Sequence, residues 1–305
     1  MVIALIAGAV VGGTVALLAR RWPAIAAPRV SAPQIAEKVD DHPKVASHLR
    51  RHFDPKTETG VALTIATVAV GAAAVGIGLV VAMIRSKTGL ERYDIRLAQF
   101  GADHATQWST NVMRDISRLG GTPVVVLLAL IATTIEMIRR PSRWLPVFMV
   151  LVIGGQFALS NGIKYLVERA RPDISRLTGF AGTSFPSGHS TAAAASFAAI
   201  ALISTRNRSR RAKIAGASIA AGLAVVVAST RVFLGVHWFT DVLAGLMLGW
   251  GWFAICSIAF GGRFLTFGQP VATAEVVADT SPAAPGGPPA ETAAPANDDR
   301  VAAGP

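Results

Sequence analysis

Seven long uncharged runs, broken by short charged segments, dominate the chain. They cover 1–19, 59–84, 119–135, 144–163, 190–205, 214–230 and 242–262. A hydrocarbon core about 30 Å thick takes about 20 apolar residues per helix. Backbone polar groups in lipid are satisfied only in helices or closed barrels. These runs are continuous rather than alternating, so the pattern predicts seven membrane-spanning helices. Between the second and third, residues 85–118 are polar. Ile95, Leu97, Phe100 and Ala105 recur there at roughly helical spacing. That segment reads as one or two amphipathic helices lying on top of the bundle.

Composition supports the spans. Hydrophobic residues make up 52% and charged residues 15%, against about 25% charged in soluble domains. An ordinary soluble enzyme is therefore excluded. The single cysteine, Cys256, rules out a disulfide within the chain and speaks against a cysteine-based zinc site.

The net charge of +11 gives orientation rather than a nucleic-acid partner. Segment 139–143 carries three arginines and 205–213 carries five Lys or Arg, and both fall on one side by parity. Basic connections stay in the cytoplasm. Loop 20–58, with eight Lys or Arg, falls inside as well, as does the C-terminus. Segments 85–118, 164–189 and 231–237 then face outward. Trp22, Trp108, Trp144 and Trp238 sit near span ends, as an interfacial belt requires. The first run lacks a basic leader, and Arg20-Arg21 follow it. It reads as an N-out anchor rather than a signal peptide. The expected organisation is an anchor helix and basic loop over 1–58, a transmembrane core over 59–265, and a disordered Ala/Pro-rich tail over 266–305.

Ionisable residues at membrane depth mark function. Three clusters arrive on the outer face. The first is Lys164-x6-Arg171-Pro172. The second is Pro186-Ser187-Gly188-His189. The third is Arg231-x5-His237-x3-Asp241. Lys164, Arg171 and Arg231 have no matching carboxylates beside them in sequence. Converging cations at a lipid–water boundary suit a phosphate. Ser187, Gly188 and His189 open a helix, whose free N–H groups form a second anion site, and Gly188 lets a ligand approach the backbone. His237 and Asp241, four apart, share a helix face. A carboxylate on one imidazole nitrogen leaves the other as a nucleophile, and His189 is positioned to protonate a leaving oxygen. The implied reaction is phosphoryl transfer through a phosphohistidine. No carboxylate cluster is present to hold magnesium, so neither metal nor cofactor is expected.

These clusters resemble the three-part signature of the type 2 phosphatidic acid phosphatase superfamily, the lipid phosphate phosphatases. Bacterial undecaprenyl-diphosphate phosphatases, glucose-6-phosphatase and the vanadium haloperoxidases share that signature. Thr230 stands where the family usually has Ser and keeps the hydroxyl. The resemblance covers about 90–265 and extends to Asp94 and to Ser117-Arg118-Leu119-Gly120-Gly121. It implies a metal-free, all-α membrane fold with a six-helix core, to which this chain adds an N-terminal helix. It assigns phosphate binding to Lys164, Arg171, Ser187, Gly188 and Arg231, the acid to His189, the nucleophile to His237 and its orientation to Asp241. The implied partner is a phosphorylated lipid at a bacterial inner membrane, polyprenyl (pyro)phosphate by family analogy. Transfer of the phosphate to an acceptor alcohol, and non-catalytic binding or transport of a lipid phosphate, are the alternatives.

Other charges read as structural. Glu136 is expected to pair with Arg140 at i,i+4. Arg169 and Asp173 are expected to be solvated loop charges. Asp94 is expected to cap or anchor the surface helix. His42, His48 and His52 lie in the basic loop without the partners a metal site needs.

Overall fold

A computed structural model describes residues 1–21, 58–174, 177–179 and 182–264. The expected basic loop, its three histidines, Trp22 and the tail from 266 lie outside these residues. The described residues form nine α-helices and no strand. In chain order they are α1 (Val2–Arg21), α2 (Glu58–Ser86), α3 (Arg92–Asp103), α4 (Gln107–Arg118), α5 (Thr122–Arg139), α6 (Trp144–Val167), α7 (Gly188–Thr205), α8 (Arg210–Phe233) and α9 (Phe239–Phe264). Among the described residues, α1, α2, α5, α6, α8 and α9 are long and apolar enough to cross a membrane.

The run expected as the fifth span is α7, and it stands apart from those six. It packs against α5, α6, α8 and α9. Residues 190–197, along with Ala199 and Ile203, are buried. Its surface meets protein rather than lipid, so small residues replace large apolar ones. Four alanines, Ala192 to Ala195, form its middle.

Glycines set how closely the helices approach. A Cβ on Gly245 would stand 2.7 Å from the Ser187 carbonyl oxygen, and one on Gly249 would stand 2.5 Å from that of Thr191. These two glycines, one turn apart on α9, bring its backbone against the start of α7. The N-terminal helix α1 uses the same device on α8. A Cβ on Gly12 would stand 2.7 Å from the Ser218 oxygen, and one on Gly222 would stand 2.9 Å from the Gly8 oxygen. The added helix is thus packed into the bundle.

The surface helices α3 and α4 form where the polar segment predicted them, but not with the face expected for α3. Of the expected face only Leu97 packs against the core, while Ile95 points outward, Phe100 stays partly exposed edge-on to Phe233, and Ala105 is exposed. Asp94, Ala98 and Gly101 are buried instead. Close approach decides this: a Cβ on Gly101 would stand 2.9 Å from the Phe233 Cα, which leaves no room for a large side chain. A capping box between Thr106 and Ser109 starts α4. At the opposite end of the bundle, Glu136 does not pair with Arg140. Arg139 Nη1 donates to it at 3.2 Å, and Arg206 Nε lies 3.8 Å away. The buried carboxylate faces Arg206 at the end of α7, and Arg140 gives its carbonyl oxygen to Arg206 Nη2.

Candidate active site

Four chain segments deliver the predicted residues to one end of the bundle. Lys164 lies in the last turn of α6, which stops where Glu168 takes a left-handed conformation. The chain then crosses the end of the bundle and re-enters at Ser187, the N-cap of α7. Arg231 lies in the last turn of α8. A turn through Gly235, with φ of +68°, presents His237 just before α9 begins. Arg231, His237, Arg171 and Lys164 all lie within electrostatic reach of the His189 ring.

Two of the cations, Lys164 and Arg171, are held by backbone oxygens, and the third, Arg231, by a hydroxyl. Lys164 Nζ donates to the Thr183 carbonyl at 2.8 Å, and Arg171 Nη2 donates to the same oxygen at 3.1 Å. Arg171 Nε reaches the Gly182 carbonyl at 2.9 Å, and Nη1 reaches that of Val236 at 2.6 Å. Arg231 Nη1 donates to Ser117 Oγ at 2.6 Å, while its buried Nε makes no hydrogen bond. The stretch 117–121 therefore supports the site from α4. Gly120 also backs His189, whose carbonyl oxygen lies 2.8 Å from where a Gly120 Cβ would stand.

At the start of α7, Ser187 is fully buried. Its N–H donates to the Asp241 carbonyl at 3.0 Å, and its hydroxyl accepts from Ser190 Oγ at 2.9 Å. That hydroxyl does not cap the helix, so the N–H groups of the first turn keep their anion-binding capacity. Around Gly188 there is open space. The nearest atom to a Cβ built there is Ser160 Oγ, at 3.9 Å. Ser160, one turn before Lys164, is a buried hydroxyl without a hydrogen bond, and the motif spacing did not reveal it.

His237 sits two residues before α9, so it does not share a helix face with Asp241 in the expected way. Its Nδ1 is 3.6 Å from Asp241 Oδ2. Asp241 is buried and already well supplied with donors. Ser184 Oγ donates to Oδ2, as does the Trp238 N–H at 2.9 Å. Arg169 Nη1 donates to Oδ1 at 2.6 Å. Burial pushes the His237 imidazole down to about 4, with Asp241 opposing that shift and Arg171 and Arg231 adding to it.

Arg169 is the main departure from the sequence reading. It is not a solvated loop charge, since its side chain is only 11% exposed. Nη1 also reaches Thr240 Oγ1 at 2.7 Å, and Nη2 reaches Asp94 Oδ2 at 2.7 Å. Asp94 in turn accepts from the Thr240 N–H at 2.9 Å and from its hydroxyl at 2.7 Å. The guanidinium lies over the Trp238 ring, 5.6 Å from its centroid. Asp94 does anchor the surface helix, through a cation 75 residues away in sequence. No local spacing rule links the two. Asp173 is exposed, as expected. Among the described residues, no three His, Cys, Asp or Glu side chains converge as a metal donor set.

The PAP2 superfamily model matches residues 145–264. Phosphatidylglycerophosphatase B of Bacillus subtilis is 36% identical over 146 residues, which is 47% of this chain and 70% of the relative. Lipid A 1-phosphatase of Rhizobium etli is 38% identical over 37% of this chain, which spans about half that relative's length (48%). Decaprenylphosphoryl-5-phosphoribose phosphatase of Mycobacterium tuberculosis is 33% identical over 49% of this chain and 80% of the relative. A crystal structure of a transmembrane PAP2 type phosphatidylglycerolphosphate phosphatase from Bacillus subtilis superposes with a TM-score of 0.60 at 29% identity. It covers 65% of this chain and 98% of that one.

Proposed function

The chain belongs to the PAP2 superfamily, and we propose that it is an integral membrane phosphatase that removes phosphate from a lipid headgroup at the bilayer surface. One observation carries this reading. Three cations, a helix N-terminus and two histidines, drawn from four separate segments, meet at one end of an apolar bundle. A site at a span end lets the lipid tail stay in the bilayer while the phosphate enters.

In the proposed mechanism, Lys164, Arg171 and Arg231 hold the equatorial phosphate oxygens with the N–H groups of Gly188 and His189 and the Ser187 hydroxyl. His237 Nε2 attacks phosphorus. Burial and the neighbouring cations hold the free His189 imidazole down at about 3, so it takes up a proton as the phosphate dianion enters and offsets those cations. A P–N bond forms as the P–O bond to the lipid breaks, and His189 gives that proton to the departing oxygen. Water then attacks the phosphohistidine, losing a proton to His189 as the P–N bond breaks, and inorganic phosphate leaves. Asp241 keeps the proton on His237 Nδ1 throughout. Charge stabilisation and positioning carry phosphoryl transfer, and this cation set supplies both without a metal. The three relatives are named for a phosphatidylglycerophosphate, a lipid A 1-phosphate and a decaprenylphosphoryl-5-phosphoribose as substrates. The substrate class proposed here is what those have in common, a phosphate carried on a lipid. Polyprenyl phosphates and diphosphates are the first members to test.

We place the site on the extracytoplasmic side of a bacterial inner membrane, with the C-terminus inside, because the connections 139–143 and 205–213 at the opposite end hold eight Lys or Arg and no Asp or Glu. A cysteine replacing the exposed Gly179 is expected to react with an impermeant thiol reagent on intact cells. Cys256 is buried and silent. Labelling only after lysis would invert the topology.

Phosphate release from a panel of lipid phosphates by detergent-purified protein in EDTA tests the function. Release that His237→Ala lacks is expected. Activity that disappears in EDTA and returns with magnesium overturns the metal-free mechanism. Phosphate that appears on an added alcohol instead of in solution makes the protein a transferase.

A further inference from the structure

A groove of about 330 Å³ opens between α7, α8 and α9, near the end of the bundle away from the histidines. Its walls are alanines, including Ala217 and Ala221, closed by Trp250 and Phe253 of α9. Its charged residues, Arg206 and Lys213, lie at one end. From Lys213 to Ala221 the groove follows α8 for two turns, about 12 Å at 1.5 Å per residue. It is therefore amphipathic along its length, with a cationic mouth and an apolar floor.

The mouth lies where the two basic connections meet. Segments 139–143 and 205–213 hold eight Lys or Arg and no Asp or Glu. The nearby Glu136 is already taken by Arg139 and Arg206. Arg206 is buried, uses Nη2 on the Arg140 carbonyl and turns Nε towards Glu136, so it closes the mouth without facing a ligand. Lys213 is exposed.

We propose that this groove is a site for an anionic diacyl phospholipid of the leaflet at that end. One acyl chain lies along the alanine wall, and the phosphodiester sits against the exposed Lys213 at the mouth. A zwitterionic lipid offers the same chain but cancels its phosphate charge with its own ammonium group. Basic pockets between membrane helices recognise anionic headgroups for this reason, at about 1 kcal/mol per Lys or Arg. The site is independent of the catalytic reading, since it lies on other residues at the other end of the bundle.

The test is thermal stabilisation of the detergent-purified full chain by phosphatidylglycerol against phosphatidylcholine of the same chains. Both lipids are phosphodiesters, and excess inorganic phosphate is present to occupy the histidine site. Ligand binding raises the melting temperature in proportion to affinity. Phosphatidylglycerol is expected to stabilise at lower concentration than phosphatidylcholine. Lys213→Gln is expected to raise the half-saturating concentration about fivefold. Ala217→Phe, an exposed position that fills the groove, is expected to abolish the preference. Arg143→Gln removes an equal charge outside the groove and is expected to leave it unchanged. Equal stabilisation by the two lipids overturns the proposal. So does a native response in Ala217→Phe. A loss in Arg143→Gln matching that in Lys213→Gln makes the effect diffuse surface charge and also overturns it.

Discussion

Arg171 Nη1 lies 3.1 Å from His237 Nε2. A guanidinium can only donate, so Nε2 must hold the lone pair and the ring proton must sit on Nδ1, the nitrogen facing Asp241. The arginine that selects this tautomer is also one of the proposed phosphate ligands. A phosphate that takes the Arg171 Nη1 proton now shared with His237 lies beside the nitrogen proposed to attack it, and frees that nitrogen's lone pair.

That relationship has a spectroscopic consequence. With burial holding His237 down to about 4, its nitrogen resonances are expected to show the neutral Nδ1–H form at pH 7 and to stay there at pH 5. The His237→Ala spectrum supplies the assignment. A transition near the ordinary 6.5 would remove the burial argument. The sign for stability follows. Below pH 6.5 the unfolded ring takes a proton that the folded ring refuses until about 4. The fold therefore loses stability as acid is added through that window, and His237→Ala should flatten the loss.

Asp241→Asn is expected to lower kcat by about 10⁴, as loss of the orienting carboxylate does in hydrolytic triads. An amide accepts through one oxygen only. It cannot serve Arg169, Ser184, Trp238 and His237 together, so the melting temperature should fall as well. An unchanged kcat in a folded protein would remove Asp241 from the mechanism.

Arg169→Met leaves Asp94 and Asp241 buried without their shared cation. Breaking one side of a buried pair costs about 3–5 kcal/mol, so a large drop in thermal stability is expected along with slower turnover. Adding Asp94→Asn should recover part of the stability. Two single losses that simply add would show that Asp94 and Arg169 act separately.

Gly249→Ala drives a methyl group to 2.5 Å from the Thr191 oxygen and 2.7 Å from Ala194 Cβ. Overpacking of this kind costs about 1–3 kcal/mol. Because it separates α9 from α7, it also moves Asp241 relative to His189. Both melting temperature and kcat should fall. Gly154→Ala, where a Cβ meets nothing within 4 Å, is the control and should lose neither. Equal behaviour of the two variants would show that this helix contact does not set the site.

Some of this was written along the chain. A bilayer requires long apolar runs, so the spans from α1 to α9 were legible as runs of residues. Phosphate chemistry requires cations and histidines at set spacings, so Lys164, Arg171, His189, Arg231, His237 and Asp241 were legible as motifs. The rest depended on contacts between segments far apart in sequence, which spacing does not encode. Only packing made α7 an interior helix, because its small residues serve four neighbours rather than lipid. Only packing turned Asp94, Ala98 and Gly101 of α3 inward in place of Ile95 and Phe100, because Phe233 leaves no room for larger side chains. Only the assembled end of the bundle gave Arg169 its partners. Asp94 and Asp241 are 147 residues apart, and a buried cation between two carboxylates exists only once their helices have met.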